Sequence, residues 1–118
     1  MVERNGEVTL VLGGTGGSRI ISSLIQLMLG MIRFESNPLS IIALPRLHHQ
    51  LIPNAVVVEH GYNEELVKEL KEKGHQIIRL SSDTYLAAIQ LVAIDSNRKT
   101  GRLVAVADPR KGGSADGY

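Results

Sequence analysis

The sequence predicts a mixed α/β sandwich, on three observations. Leu86 to Asp95 alternates Leu86, Ala88, Gln90, Val92 and Ile94 on one side with Ala87, Ile89, Leu91 and Ala93 on the other. Both sides are apolar apart from Gln90, the pattern of a strand covered on both faces. Val8 to Leu12, a short apolar strand, runs through a glycine-rich turn into an amphipathic helix ending near Arg33. A charged helix, Asn63 to Lys73, stands between two further short apolar runs. With 118 residues the chain is one domain at most, and one Phe, three Tyr and no Trp make its core aliphatic.

Met1 to Glu7 is polar and short, without the basic and apolar regions of a signal peptide. Ser18 stands where a helix N-cap belongs. At 100° per residue, Ile20, Ile21, Leu24, Ile25, Met28, Met31 and Ile32 share a face expected to be buried. Leu29 falls among Ser22, Gln26 and Arg33 on the other side, either simply exposed or in contact with a partner. Asn37-Pro38 starts a short helical turn that Pro45 ends, and Leu47 to Asn54 reads as a loop. Val56 to Val58 is a strand. Asn63 to Lys73 carries Glu64 and Glu65 in its first turn, Lys71 and Lys73 in its last, and Gly74 just beyond. Those charges oppose the helix dipole, and the glycine supplies the stop. Gln76 to Leu80 is a candidate strand. Ser96 to Gly101 is a turn that returns Leu103 to Ala107 antiparallel to the two-sided strand.

Composition removes several functions. The formal charge is +1, with no basic excess and few aromatics to hold a nucleic acid. Without cysteine there are no disulfides and no thiolate ligands. The segment from Ile20 to Ile32 is interrupted by Ser22, Ser23, Gln26 and Gly30 and is too short to span a bilayer. His48 and His49 are adjacent and point apart on any regular element, while His60 and His75 are isolated. No metal spacing arises, and they read as satisfied loop histidines. No Gly-x-Ser-x-Gly elbow surrounds Ser22-Ser23 or Ser81-Ser82. Asp108-Pro109-Arg110 suggests an internal ion pair, and Arg110 to Gly113 a solvated turn.

The glycine loop, Gly13-Gly14-Thr15-Gly16-Gly17, admits several readings. A dinucleotide fingerprint starting at Gly14 meets Arg19 where its third glycine belongs, and no Lys-Ser/Thr pair follows for a P-loop. The first is weakened and the second excluded; beside the first stand an oxyanion hole made of consecutive glycine N–H groups at a helix N-terminus, and a tight turn requiring positive φ.

Four blocks carry a resemblance. Gly16-Gly17-Ser18-Arg19-Ile20-Ile21, Pro45-Arg46-Leu47-His48-His49-Gln50, Leu51-Ile52-Pro53-Asn54 with Glu59, and Ala107 to the final Gly117-Tyr118 occur in order. Together they resemble the small subunit of γ-glutamyltransferases (γ-glutamyltranspeptidases, glutathione hydrolases). The resemblance implies an αββα N-terminal-nucleophile hydrolase sandwich. It also implies a precursor that cuts itself into a large and a small subunit, with the new N-terminal Thr as nucleophile. Gly16 and Gly17 match the pair that donates N–H groups to the oxyanion. No cofactor is implied, and family members face the periplasm or the cell exterior. In the family the nucleophilic Thr, its supporting Thr and Asn, and a substrate-gripping Ser-Ser pair precede the glycines, and no residue here matches them. Leu44 replaces a usually small residue, and Gly14-Thr15 varies a position often Ser-Pro or Ala-Ala. The expectation is a C-terminal portion of the small subunit, residues 1–118 forming one partial domain. Its partners would be the upstream part of that subunit and the large subunit, with γ-glutamyl compounds bound once assembled, or else further copies of itself. The alternative is an inactive truncated homologue acting as an interaction module.

Overall fold

The computed structural model describes residues 1–34, 37–94 and 102–116. Strands β1 (Val2–Arg4) and β2 (Glu7–Thr15) form an antiparallel hairpin. Its turn is Asn5-Gly6, both at positive φ, the left-handed pair that fits the twist of a two-residue hairpin. The N-terminus is therefore the start of a sheet rather than a polar lead-in. Strand β2 also outruns the expected Leu12, continuing through the first two glycines to Thr15.

Helix α1 (Arg19–Arg33) follows the glycine turn, and α2 (Pro38–Ala43) crosses it where Gly30 lets the Ile41 side chain approach. Asn37 caps α2, its Oδ1 accepting from the N–H of Leu39 at 2.9 Å. Strand β6 (Ala88–Ile94) pairs antiparallel with β2, and β7 (Leu103–Val106) pairs antiparallel with β6. The sheet order is β1-β2-β6-β7. The expected turn at Ser96 to Gly101 lies outside the described residues.

Helices α1 and α2 cover one face of this sheet. Leu10, Ile89, Leu91, Ala93 and Val106 meet Leu27 and Ile42 in the core. Each fully buried aliphatic side chain contributes about 1.5–3 kcal/mol. The opposite face carries Val11, Val92 and Ala105, aligned across the strands by register and all exposed. The two-sided apolar pattern is thus covered on one side only among the described residues.

A second sheet has the order β3-β4-β5. Strand β3 (Leu47–His48) falls inside the expected loop and pairs antiparallel with β4 (Val56–Val58). Strand β5 (Ile77–Arg79) pairs parallel with β4 across helix α3 (Glu64–Glu72). Asn63 caps α3, and Val67 packs on Val56 and Val58. No helix among the described residues is long and apolar enough to cross a membrane.

Two expectations for α1 are corrected. Ser18 has helical backbone angles and makes no cap; its Oγ donates to Gln50 Oε1 at 2.8 Å. The buried stripe runs through Ser23, Leu27 and Gly30, with Ile20, Leu24, Met28 and Met31 half-buried beside it. Ile21, Ile25 and Ile32, expected inside, are exposed and continuous with Leu29. The helix is apolar around more of its circumference than one sheet face covers.

Candidate functional site

The glycine turn joins the end of β2 to the start of α1. Gly16 has φ +143° and Gly17 φ +61°, conformations in which a side chain is strained. At Gly16 a Cβ would also meet Ala87 Cβ at 2.7 Å and Leu86 O at 2.8 Å, so the turn rests directly on the backbone leading into β6. At Gly17 a Cβ would meet nothing within 4 Å. The two carbonyls accept from Arg19 and Ile20, opening the helix. Neither Gly16 nor Gly17 N–H has an acceptor among the described residues. Two free N–H groups at a helix N-terminus favour negative charge nearby. A dinucleotide site is ruled out by topology: β2 has antiparallel neighbours on both sides, whereas that fold needs a parallel βαβ unit.

Side chains hold the turn from its far side. Gln50 Oε1 accepts from Ser18 Oγ and from His48 Nε2, at 2.8 Å and 3.0 Å. Gln50 Nε2 donates to Ile52 O, which fixes the amide orientation and hence the proton on His48 Nε2. His48 Nδ1 lies 2.7 Å from Ser22 Oγ. His48 is a satisfied histidine, as expected, but it is buried on a strand and tied to α1.

Beneath the turn lies a buried ion network. Arg46 Nη2 meets Asp108 Oδ2 at 2.8 Å, and Arg110 Nη2 meets Glu59 Oε2 at 2.6 Å. Arg110 Nη1 also reaches Asp108 Oδ1 at 3.1 Å, the internal pair expected from sequence. Arg110 is accordingly part of the interior and not of a solvated turn; its side chain is 12% exposed. Burial pushes the Asp108 carboxyl up, but N–H donation from Ile89 and Arg110 and the Arg46 guanidinium outweigh it, holding it below the usual aspartate range. Burial and the like charge of Arg110 lower Arg46. Burial opposes Arg110 in the same way, yet Glu59 and Asp108 raise it overall. Sequence reading gave Arg46 and Glu59 no role. The available signal was a charged residue directly after an apolar strand, as Glu59 follows Val56 to Val58.

The fold is that of the N-terminal-nucleophile hydrolases, on whose gamma-glutamyltranspeptidase members the structure superposes. The gamma-glutamyltranspeptidase family matches residues 1–118, and the chain belongs to that family. It is 33% identical to glutathione hydrolase proenzyme 2 of Schizosaccharomyces pombe over 119 aligned residues, covering 100% of this chain and 19% of that protein. It is 35% identical to glutathione hydrolase 2 of Arabidopsis thaliana, over 100% of this chain and 22% of that one. The structure superposes on a variant of Helicobacter pylori gamma-glutamyltranspeptidase with a TM-score of 0.82 and 27% identity, covering 92% of this chain and 57% of the other. The chain thus spans about a fifth of the length of these curated relatives.

Proposed function

We propose that this chain is the C-terminal portion of a γ-glutamyltranspeptidase small subunit, and that Gly16 and Gly17 supply its oxyanion hole. The observation that carries the reading is the pair of acceptor-free N–H groups at the start of α1, in a chain of this family. The threonine nucleophile belongs to the upstream portion of the small subunit. Its Oγ attacks the γ-glutamyl carbonyl of glutathione or a related amide, its proton passing to the threonine α-amine. The carbonyl electron pair moves onto oxygen, where the two glycine N–H groups hold the charge. Each such donor is worth about 2.7–4 kcal/mol of transition-state stabilisation. Collapse expels the amine, whose nitrogen takes the proton held by the threonine α-amine, and water or an acceptor amine then takes the glutamyl group from the acyl-enzyme.

The partners in this reading are the upstream segment and the large subunit. The exposed row Val11, Val92 and Ala105 supports it, being the apolar sheet face that a second sheet layer covers in an αββα sandwich. Release of nitroaniline from a γ-glutamyl anilide tests the proposal. The chain alone is expected to be inactive, and the chain combined with the upstream portion active. No turnover from a folded, assembled mixture contradicts it and favours a non-catalytic interaction module.

A further inference from the structure

We infer that the buried Arg46–Asp108–Arg110–Glu59 network is a positioning device for the glycine turn, setting where the Gly16 and Gly17 N–H groups point. The inference rests on the oxyanion reading of that turn. The network converges on one short stretch of backbone. Glu59 Oε1 accepts from Leu86 N–H at 2.8 Å, Arg46 Nη1 donates to Ala87 O at 2.8 Å, and Asp108 Oδ2 accepts from Ile89 N–H at 2.8 Å. Three of four consecutive residues are therefore pinned by charged side chains. Gly16 rests on the same stretch, and a Cβ built on Gly16 would lie within 3 Å of Leu86 O and of Ala87. Gly16 thus lies against that backbone with no room for a side chain between them, and a shift of Ala87 is passed to Gly16.

The network is itself held from several directions. Arg46 Nη2 and Arg110 Nη1 both donate to Ile42 O, at 2.7 Å and 2.9 Å, and Arg110 Nη2 donates to Leu44 O at 2.9 Å. Arg46 N–H donates to Glu59 Oε2 at 2.9 Å. The segment after α2, the end of β4 and the segment after β7 thus share one rigid frame. Buried ion networks of this kind are weak stabilisers compared with apolar packing of the same volume. They do fix geometry, and oxyanion donors work only when placed within about 0.5 Å. Arg46, Glu59, Asp108 and Arg110 touch no substrate in this scheme; they act through Leu86 to Ile89.

The test uses Arg46→Lys, which keeps the charge but cannot reach Ala87 O, Ile42 O and Asp108 together, and Asp108→Asn as a second variant should the first fail to fold. Backbone amide NMR of the full chain reads the Gly16 and Gly17 N–H groups directly. Their resonances are expected to shift, while α3 amides stay in place. Glu64→Gln, which breaks the exposed pair with Arg79, is expected to move neither glycine. In enzyme assembled with the upstream portion, kcat is expected to fall about tenfold with KM unchanged. A folded, destabilised variant whose glycine amides are unmoved overturns the inference. Glycine amides that move with kcat unaltered sustain the mechanical link and overturn the oxyanion reading instead.

Discussion

At the residue scale, Gly16 and Gly17 respond differently to the same change. Gly17→Ala meets open space and bears only the backbone strain of a left-handed residue, about 1–2 kcal/mol. Gly16→Ala adds a clash with Leu86 and Ala87, so equilibrium denaturation should show a loss of about 2–4 kcal/mol. Equal losses would mean that the close approach at Ala87 is not a constraint. Asp108 gives a pH signature. Its folded pKa lies below the ordinary value of about 3.9, so its stabilisation is complete above that value and is lost as pH falls through the folded pKa. Acid titrations of Asp108→Asn should lack that component below about pH 4. The glycine pattern was legible because backbone demands are local. Ser18 misled for the opposite reason: a serine ahead of a helix reads as a cap, but its partner Gln50 is 32 residues away.

At the scale of elements, α1 separates what holds this chain together from what does not. Leu27→Ala removes a buried side chain and should cost about 2–5 kcal/mol by denaturation. Ile25→Ala, on the exposed stripe, should cost no more than about 0.5 kcal/mol in the isolated chain. Comparable losses at both positions would show that the helix buries a different face. Strand β6 and helix α3 were read correctly because alternation, Asn63 and Gly74 are signals within the element itself. The N-terminal hairpin was overlooked although Asn5-Gly6 is a strong turn signal, because its first strand is only Val2–Arg4 and polar. The orientation of α1 was not legible, since a helix apolar over most of its surface does not announce which side meets the sheet.

At the scale of the molecule, the two-sided strand pattern foretold more burial than the described residues provide. Val11 and Val92 on the open sheet face and Ile21, Ile25, Leu29 and Ile32 on α1 are all exposed. Surfaces of this kind drive association. The isolated chain is expected to self-associate, and sedimentation should show species above the 12.8 kDa monomer. A sharp monomer with cooperative melting would contradict that. The ion network behaves as a frame rather than a local contact, since it links residues 62 positions apart. The charged partners were visible in the sequence; their convergence was not.

The central claim, that this chain supplies the oxyanion donors of a γ-glutamyltranspeptidase, is tested most directly by kcat for γ-glutamyl anilide cleavage in enzyme assembled with the Gly16→Ala chain. A misdirected donor predicts a fall of about 10²–10³-fold with KM little changed. A folded assembly whose kcat stays within about twofold of the unaltered enzyme, far inside that range, would contradict the claim.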